Sequence, residues 1–257
     1  MYGELKNKVV ILSGGSNGIG KSIAERFLKE GSIVYNFDVS EPKNPLGKFV
    51  SCDVSLESEV KNSIDKVVKE SGRIDILINN AGIESFGSVA KVSVNEWDRI
   101  LDVNLRGAFL MSKFSIPHMQ INGGVIEFMS SIQAKIIQKK LAAYVTSKHA
   151  LIGLMKSIAL DYAPKIRSMA ICPGSVRTPL LEWTAVKEVG DNKELIERKL
   201  REWGSLYPMG RIAETYEVAN LVAFLASDEA KYITGLCIPF DGGLSIELFE
   251  SVPEDDD

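Results

Sequence analysis

Residues 8–20 read KVVILSGGSNGIG, and this stretch decides the fold. The apolar run that ends at Ser13 predicts a buried parallel strand, and residues 19–31 predict a helix with Ile23 and Phe27 on its inner face. The glycines between them let the backbone turn tightly and approach a pyrophosphate, while a helix N-terminus presents free N–H groups. The stretch therefore predicts a nucleotide-binding turn, although its G-x-x-x-G-x-G spacing differs from G-x-G-x-x-G and also fits a purely structural loop. Its candidate contacts are Gly14, Ser16, Asn17, Gly18, Ile19 and Gly20.

Strand-like apolar segments alternate with helical patterns along the rest of the chain, which is typical of a parallel sheet covered on both faces. Further strands are predicted at residues 32–38, 48–53, 74–79, 124–130, 166–172 and 237–240. Helices are predicted at residues 56–71, 94–118, 142–163 and 215–227 and, as one or two helices, at 180–207. The predicted fold is α/β, a Rossmann-type doubly wound and mainly parallel seven-stranded sheet with helices on both faces. We expect one dinucleotide-binding and catalytic domain over residues 1–251, with 179–214 as a substrate lid and 252–257 as an acidic flexible tail.

Composition excludes several classes of function. Hydrophobic residues make up 45% and charged residues 25% of the chain, which is ordinary for a globular protein, and the net charge of -4 argues against nucleic acid as a partner. No apolar run approaches the ~20 residues of a membrane span, and no signal peptide is visible, so we expect a cytoplasmic protein. The three cysteines and two histidines fit neither a disulfide framework nor a metal site, and we interpret the cysteines as reduced core thiols.

Asp38 ends the second predicted strand, at the distance where an acidic side chain meets the ribose hydroxyls of a bound dinucleotide. A carboxylate there repels a 2′-phosphate, and no arginine follows it closely. The position favours NAD, with NADP still possible. A strand-end Asp that caps a turn explains the residue equally well.

Tyr144 and Lys148 lie four residues apart, so a helix places both on one face. A phenol titrates near pH ~10, and a fixed positive charge beside it lowers that pKa toward the range of a useful general base. The pair therefore indicates a possible general base. The spacing alone also fits a half-buried ring beside a solvated ammonium group.

Together with the glycine turn, these residues resemble the short-chain dehydrogenase/reductase superfamily over nearly the whole chain. The family's catalytic Ser, Tyr and Lys match Ser131, Tyr144 and Lys148, and its helix Asn matches Asn104. Ser13 stands where the family usually has Thr. The remaining family elements match Asp53-Val54, Asn79-Asn80-Ala81-Gly82, Pro173-Gly174, Val176 and Thr178, all of which the resemblance assigns to cofactor binding beside Gly14, Gly18, Gly20, Tyr144 and Lys148.

The resemblance implies a reaction in which Tyr144 exchanges a proton with the substrate oxygen while hydride passes to or from the nicotinamide. It implies that Lys148 holds the nicotinamide ribose, that Ser131 orients the reacting oxygen, and that Asn104 holds a water linked to Lys148. Without the resemblance, Ser131 is a strand-end hydroxyl and Asn104 a residue that kinks its helix. Family members are usually homotetramers, and we expect the same here.

Glu84 follows the Asn-Asn-Ala-Gly element closely, where the chain passes beside the reacting carbon. A carboxylate there suits the hydroxyls of a polyol, and the stretch resembles that of the aldose 1-dehydrogenases. We therefore predict oxidation of an aldohexose at C1 to its lactone, with Gln133 and Trp183 as further substrate contacts. The candidate substrate-binding residues are Glu84, Ser131, Gln133, Tyr144 and Trp183.

Other functions remain open at this point. One is a 3-oxoacyl-thioester reductase of the same superfamily, which expects a basic surface near the pocket. Another is a non-catalytic NAD-binding scaffold, which the intact Ser131, Tyr144 and Lys148 disfavour. A solvated charge on a loop also explains Glu84. Residues 244–251 either contact a neighbouring subunit or reach over a substrate site.

Overall fold

A computed structural model describes residues 2–247. Its seven strands are β1 Val9–Ser13, β2 Ile33–Asp38, β3 Lys48–Ser51, β4 Ile76–Asn79, β5 Gly124–Met129, β6 Ile166–Pro173 and β7 Cys237–Phe240. Its eight α-helices are α1 Gly18–Lys29, α2 Glu57–Ser71, α3 Val94–Leu101, α4 Gly107–Asn122, α5 Ala142–Asp161, α6 Pro179–Val189, α7 Lys193–Gly204 and α8 Thr215–Ala226.

The strands form one parallel sheet in the order β3-β2-β1-β4-β5-β6-β7, which confirms the predicted Rossmann-type fold. Strand order reverses between β1 and β4, so a crevice opens beyond the carboxyl ends of these two strands. One apolar core lies between the sheet and α2, α4 and α5, and a second lies between the sheet and α1 and α8. The predicted inner face of α1 is confirmed, because Ile23 and Phe27 are fully buried in the second core.

The helix predicted at residues 94–118 is interrupted. A π-helical turn spans Asp102–Arg106 between α3 and α4, so the stretch is helical as predicted but is not one regular α-helix. Its side-chain pattern stays helical across the turn, and sequence periodicity therefore does not reveal the extra residue. The turn leads into Gly107, where a Cβ atom would lie 2.7 Å from Cγ2 of Val54.

The segment predicted at residues 180–207 forms two helices. Thr178 begins α6 by accepting a hydrogen bond from the N–H of Leu181 at 3.3 Å, and Pro179 follows as the first helical residue. Asn192 caps α7 through its side-chain oxygen.

Residues 252–257 and the end of the 244–251 segment lie outside the described residues. Within residues 2–247, no helix is long and apolar enough to cross a membrane.

Cys172 and Cys237 are 65 residues apart in sequence but meet across β6 and β7, with 2.9 Å between their sulfur atoms. Both are free thiols, as is the buried Cys52. The interpretation as core thiols is correct for Cys52 and Cys172, but Cys237 is only partly buried and lies on the edge strand β7. Strand pairing across the sheet, which spacing in sequence does not show, brings the two together.

Glu127 lies in the middle of β5 and is 0% exposed. Neither of its carboxylate oxygens has a hydrogen-bond partner within residues 2–247. Burial raises the pKa of Glu127 well above its ordinary value, and the charge of Arg167 opposes this only in part. The guanidinium of Arg167 donates instead to the carbonyls of Leu225, Ser227 and Ile233.

Glu127→Gln should raise the free energy of unfolding at neutral and alkaline pH. The folded-state pKa lies above the unfolded value near 4.5, so the stability that the neutral carboxyl contributes is complete below pH 4.5 and is lost as pH rises through the folded pKa. Relative to the variant, the wild type should lose up to about 1.4 kcal/mol per pH unit across this interval. Urea unfolding between about pH 4 and about pH 9 measures the difference.

The matched control is Glu25→Gln, because Glu25 is an exposed carboxylate on α1. Its stability should follow that of the wild type at every pH. Parallel pH curves for the wild type and Glu127→Gln would show that Glu127 is not held in its neutral form.

Candidate active site

A cavity of about 1110 Å³ opens beyond the carboxyl ends of the strands and extends from the glycine turn to the start of α5. Most residues predicted from the sequence line it. They are Gly14, Asn17, Gly18, Ile19, Gly20, Asp38, Asp53, Val54, Asn80, Ala81, Gly82, Glu84, Ser131, Gln133, Tyr144, Lys148, Pro173, Gly174, Val176 and Thr178. This cavity is the candidate active site.

The glycine turn forms one end of the cavity, and its backbone admits no larger side chain. Gly14 and Gly18 have φ angles of +68° and +54°, which favour glycine. A Cβ atom on Gly20 would lie 2.0 Å from the carbonyl oxygen of Gly14. The N-terminus of α1 therefore opens directly onto the cavity, and this end fits the pyrophosphate of a dinucleotide.

Two side chains join the glycine turn to the end of β4. Asn80 donates from Nδ2 to the carbonyl oxygens of Ser13 and Gly14 at 3.1 and 2.9 Å. The hydroxyl of Ser13 accepts from the N–H groups of Asn80 and Ala81, both at 3.1 Å. The Ser that replaces the family's usual Thr thus makes these contacts through its hydroxyl.

Asn36 supports the glycine turn from below, and the sequence analysis missed it. Its Oδ1 accepts a hydrogen bond from the N–H of Gly15 at 2.9 Å, and its Nδ2 donates to the hydroxyl of Ser16 at 3.4 Å. Asn36 is 0% exposed. A polar residue within the apolar strand at 32–38 was the available signal.

Ser16 was predicted to contact the cofactor, but it does not line the main cavity. Its hydroxyl donates to the carbonyl of Ser40 at 3.0 Å, and its N–H donates to Oδ2 of Asp38 at 3.1 Å. Those contacts turn Ser16 toward the end of β2, beside a smaller pocket. Ser16 thereby orients the Asp38 carboxylate, which faces the main cavity.

Asp53 and Val54 line the same region of the cavity as Asp38. The Asp53 carboxylate accepts hydrogen bonds from the N–H and the hydroxyl of Ser55 at 2.9 and 2.7 Å. This part of the cavity therefore combines two carboxylates with an apolar side chain, a composition that suits an adenosine group.

Tyr144 and Lys148 lie at the other end of the cavity, on α5. Nζ of Lys148 is 5.4 Å from the centroid of the Tyr144 ring and donates to the carbonyl oxygen of Met129 at 2.8 Å. Ser131 follows β5 and lines the cavity together with them. The end of β5 and the start of α5 thus bring three functional groups to one end of the cavity.

The expected fall in the pKa of Tyr144 does not occur in the chain by itself. Burial raises the pKa of this phenol, the Glu84 carboxylate raises it further, and the nearby Ser131 hydroxyl opposes the rise. Burial also lowers the pKa of Lys148 to about 8. Desolvation is the largest cause of the shift at Tyr144, so the fall in pKa predicted from the spacing does not occur.

Asn104 does not line the cavity. Its Oδ1 accepts from the N–H of Ile83 at 2.8 Å, and its Nδ2 donates to the carbonyl of Ile83 at 2.9 Å and to the hydroxyl of Ser147 at 3.0 Å. The π-helical turn brings Asn104 to this position. Asn104 consequently holds the backbone of the segment that carries Glu84.

Glu84 and Gln133 both line the catalytic end. Glu84 is half-buried, and burial raises the pKa of its carboxyl while the charge of Lys148 opposes the rise. Oε1 of Gln133 accepts from the N–H of Gln138 at 2.7 Å. The amide nitrogen of Gln133 is then the group that can donate to a ligand.

Trp183 was predicted as a substrate contact, but the structure places it elsewhere. Its ring is 50% exposed and lies 3.6 Å from Nζ of Lys187, outside the cavity lining. Trp203 and Tyr207 line the cavity instead. The rotation of α6 and α7 about their axes decides which aromatic ring faces inward, and their sequence contains no distinct signal for it.

A glycine cradle at a helix N-terminus shares one cavity with a Ser, a Tyr and a Lys at the switch point of a doubly wound sheet. This combination defines an oxidoreductase that uses a nicotinamide dinucleotide. Comparisons with known proteins support the same class.

A family model described as enoyl-(acyl carrier protein) reductase matches residues 14–245. The chain is 51% identical to ligand-free aldohexose dehydrogenase (AldT) of Thermoplasma acidophilum, with a TM-score of 0.97 over 99% of this chain and 100% of that one. It is 31% identical to 3-ketoacyl-(acyl-carrier-protein) reductase from Brucella melitensis complexed with NADH, with a TM-score of 0.82 over 94% and 99% of the two chains. Oxidoreductase UcpA of Salmonella typhimurium is 35% identical over 263 residues, which cover 97% of this chain and 99% of the relative. The chain belongs to the short-chain dehydrogenase/reductase superfamily.

Asn36→Val should weaken NADH binding by about tenfold, because the substitution leaves the N–H of Gly15 buried without an acceptor, at a cost of about 1–3 kcal/mol. The N–H groups of the turn then lose their alignment toward the pyrophosphate. Fluorescence titration with NADH measures the dissociation constant, and a thermal melt of the free protein separates this effect from loss of the fold.

Asn122→Ala, an exposed substitution at the end of α4, serves as the control and should bind NADH like the wild type. If Asn36→Val binds NADH within about twofold of the wild type, Asn36 does not organise the phosphate turn.

Proposed function

We propose that the protein is an aldose 1-dehydrogenase that oxidises an aldohexose at C1 to its lactone and prefers NAD. The observation that carries the proposal is the half-buried Glu84 carboxylate, which lines the catalytic end of the cavity beside Tyr144 and Lys148. The 51% identity to an aldohexose dehydrogenase supports the same substrate class.

Glu84 favours a polyol on physical grounds. A partly desolvated carboxylate gains most from a ligand that donates hydrogen bonds, and adjacent sugar hydroxyls can donate to both of its oxygens. Gln133 adds an amide donor for a hydroxyl oxygen of the sugar. An acidic ligand would instead meet like charge in a region of low dielectric.

The side chains divide the chemistry among them. Tyr144, as phenolate, takes the proton from the C1 hydroxyl, and Ser131 orients that oxygen by a hydrogen bond. Bound NAD supplies the hydride acceptor. Lys148 lies close enough to stabilise the phenolate and to hold the nicotinamide ribose. Asn104 acts indirectly, because its hydrogen bonds hold the backbone of Ile83 next to Glu84.

The preference for NAD rests on Asp38. Its carboxylate lines the cavity at the end of β2 and keeps its position through the N–H of Ser16. Two ribose hydroxyls can donate to such a carboxylate, whereas a 2′-phosphate is repelled. NADP is the weaker alternative.

Residues 179–214 are proposed as a substrate lid on one catalytic domain. Helices α6 and α7 contact each other around the buried Ala185 and Leu200, in a small core separate from the two cores of the sheet. Leu180, Trp203 and Tyr207 line the cavity from this side. A segment with its own small core can move as a unit and exclude water from the reaction.

We also propose that the protein acts on a monosaccharide in carbohydrate metabolism. We propose further that it is a homotetramer and is located in the cytoplasm. Large apolar side chains are exposed at Phe109 and Ile121 on α4 and at Leu160 on α5, and such surfaces favour association. Light scattering on the full chain tests the assembly.

The second candidate is a 3-oxoacyl-thioester reductase, which the Brucella melitensis neighbour favours. Glu84 argues against it, since the phosphate of an acyl-carrier thioester is repelled by a carboxylate at the cavity. A substrate panel distinguishes the two reactions.

The wild type should reduce NAD with aldohexoses and turn over NADP more slowly, with little activity toward an acyl thioester. Glu84→Gln should raise KM for the sugar about tenfold or more, because one charged acceptor is lost, and should leave KM for NAD nearly unchanged. Steady-state kinetics on an aldose panel, with both cofactors side by side, measure these values.

Glu229→Gln, an exposed residue after α8, should show wild-type kinetics. Good turnover of a thioester without any aldose activity would overturn the sugar proposal. Unchanged sugar kinetics in Glu84→Gln would assign Glu84 to the loop surface alone.

Tyr144→Phe tests whether the protein is an enzyme or a cofactor-binding scaffold. The substitution removes only the phenol oxygen, so turnover should fall by at least about a hundredfold while the affinity for NADH stays close to that of the wild type. Kinetics and fluorescence titration give the two values. Turnover that survives the substitution would remove Tyr144 from the role of general base.

A further inference from the structure

Cys172 and Cys237 form a pair of thiols behind the candidate active site. Their sulfur atoms are 2.9 Å apart, only about 0.9 Å longer than a disulfide bond of about 2.05 Å. The strands that carry them are hydrogen-bonded neighbours, with Ala170 opposite Cys237 and Cys172 opposite Pro239. The two side chains therefore lie on the same face of the sheet, two positions apart along it.

The two thiols differ in reactivity. Cys237 is partly exposed on the edge strand β7. The hydrogen bond from Cys172 lowers the pKa of Cys237, with a contribution from Lys135 and Lys156 against the opposing effect of burial. A thiolate that solvent can reach is the form that reacts with peroxides.

Cys172 is held in the opposite state. The hydrogen bond to Cys237 and burial both raise its pKa, so it remains a thiol beside a thiolate. Cys52, by contrast, has its pKa raised to about 11 by burial, and no cysteine partner lies beside it among the described residues. Among the described cysteines, this pair thus combines a thiolate that can attack an oxidant with a thiol that can then form a disulfide with it.

Cys172 is also connected to the cofactor end of the cavity. It directly precedes Pro173 and Gly174, which line the cavity. The carbonyl of Ile171, the residue before Cys172, accepts a hydrogen bond from the N–H of Ser130 at 2.8 Å. Ser130 in turn donates to the carbonyl of Lys148 at 2.8 Å. A movement of Cys172 can therefore displace both the Pro173-Gly174 segment and the Ser130 hydroxyl that contacts Lys148.

We propose that Cys172 and Cys237 form a peroxide-sensitive dithiol, which closes to a reversible disulfide and weakens cofactor binding. The Cys237 thiolate attacks one oxygen of hydrogen peroxide, the O–O bond breaks, and the products are a Cys237 sulfenic acid and hydroxide. The Cys172 sulfur then attacks the Cys237 sulfur and releases water. Two electrons pass from the two thiols to the peroxide, and an added dithiol reverses the oxidation by exchange.

The closed bond draws the Cys172 sulfur toward β7 and shifts the start of the Pro173-Gly174 segment, which lines the cavity. A transient disulfide of this kind is compatible with a reducing compartment, where most structural disulfides do not persist.

The test treats the full-length protein with a small excess of hydrogen peroxide and counts its thiols after denaturation. The count should fall from three to one, and the mass of the chain should fall by that of two hydrogen atoms. The dissociation constant for NADH should rise at least about threefold, and dithiothreitol should restore all three values.

Cys237→Ser should bind NADH like the reduced wild type and should keep both its thiols and its affinity after peroxide. Cys172→Ser should instead accumulate the sulfenic acid on Cys237, which dimedone labels. A thiol count that stays at three, a loss that also occurs in Cys237→Ser, or an oxidised protein with unchanged NADH affinity would each overturn the proposal. These readouts need no sugar, so their failure is distinct from failure of the dehydrogenase proposal.

Discussion

The hydrogen bonds from Asn80 to the carbonyls of Ser13 and Gly14 join the carboxyl ends of β1 and β4, between which the strand order reverses. A Cβ atom on Gly14 would lie 2.9 Å from Cα of Ala81, so the two segments approach almost to contact. The phosphate turn lies on one side of this junction, and the loop that carries Glu84 begins on the other. The two segments at opposite ends of the candidate site therefore depend on the same few contacts.

Burial gives the catalytic end its chemical character. Desolvation raises the pKa values of Tyr144 and Glu84 and lowers that of Lys148, so each of the three groups is driven toward its neutral form. A further positive charge close to the phenol shifts this balance toward phenolate. In the chain by itself, the Tyr144 and Lys148 pair is therefore not a strong base.

Much of the fold and of the site was predictable because the responsible signals are local. Strand and helix periods, the glycine turn and the order of the family motifs all lie within short stretches of sequence. The failures have a common cause. The π-helical turn at Asn104 keeps a helical side-chain pattern, while the outward Trp183 and the buried Asn36 take their positions from packing between elements. A pattern along one chain segment therefore reveals none of the three.

The sequence by itself determined the parallel α/β sheet and the superfamily, since these follow from periodicity and from motif residues, and it predicted Ser131, Tyr144 and Lys148 as the catalytic residues. Tertiary structure alone decided the sign of the pKa shift at Tyr144, the place of Trp203 at the cavity, and the contact between Cys172 and Cys237. Sequence shows only the spacing of Tyr144 and Lys148 on a helix, whereas burial shifts the pKa values of both groups. Desolvation and distance between remote residues arise only when the chain has folded, and both properties control acid–base and thiol chemistry.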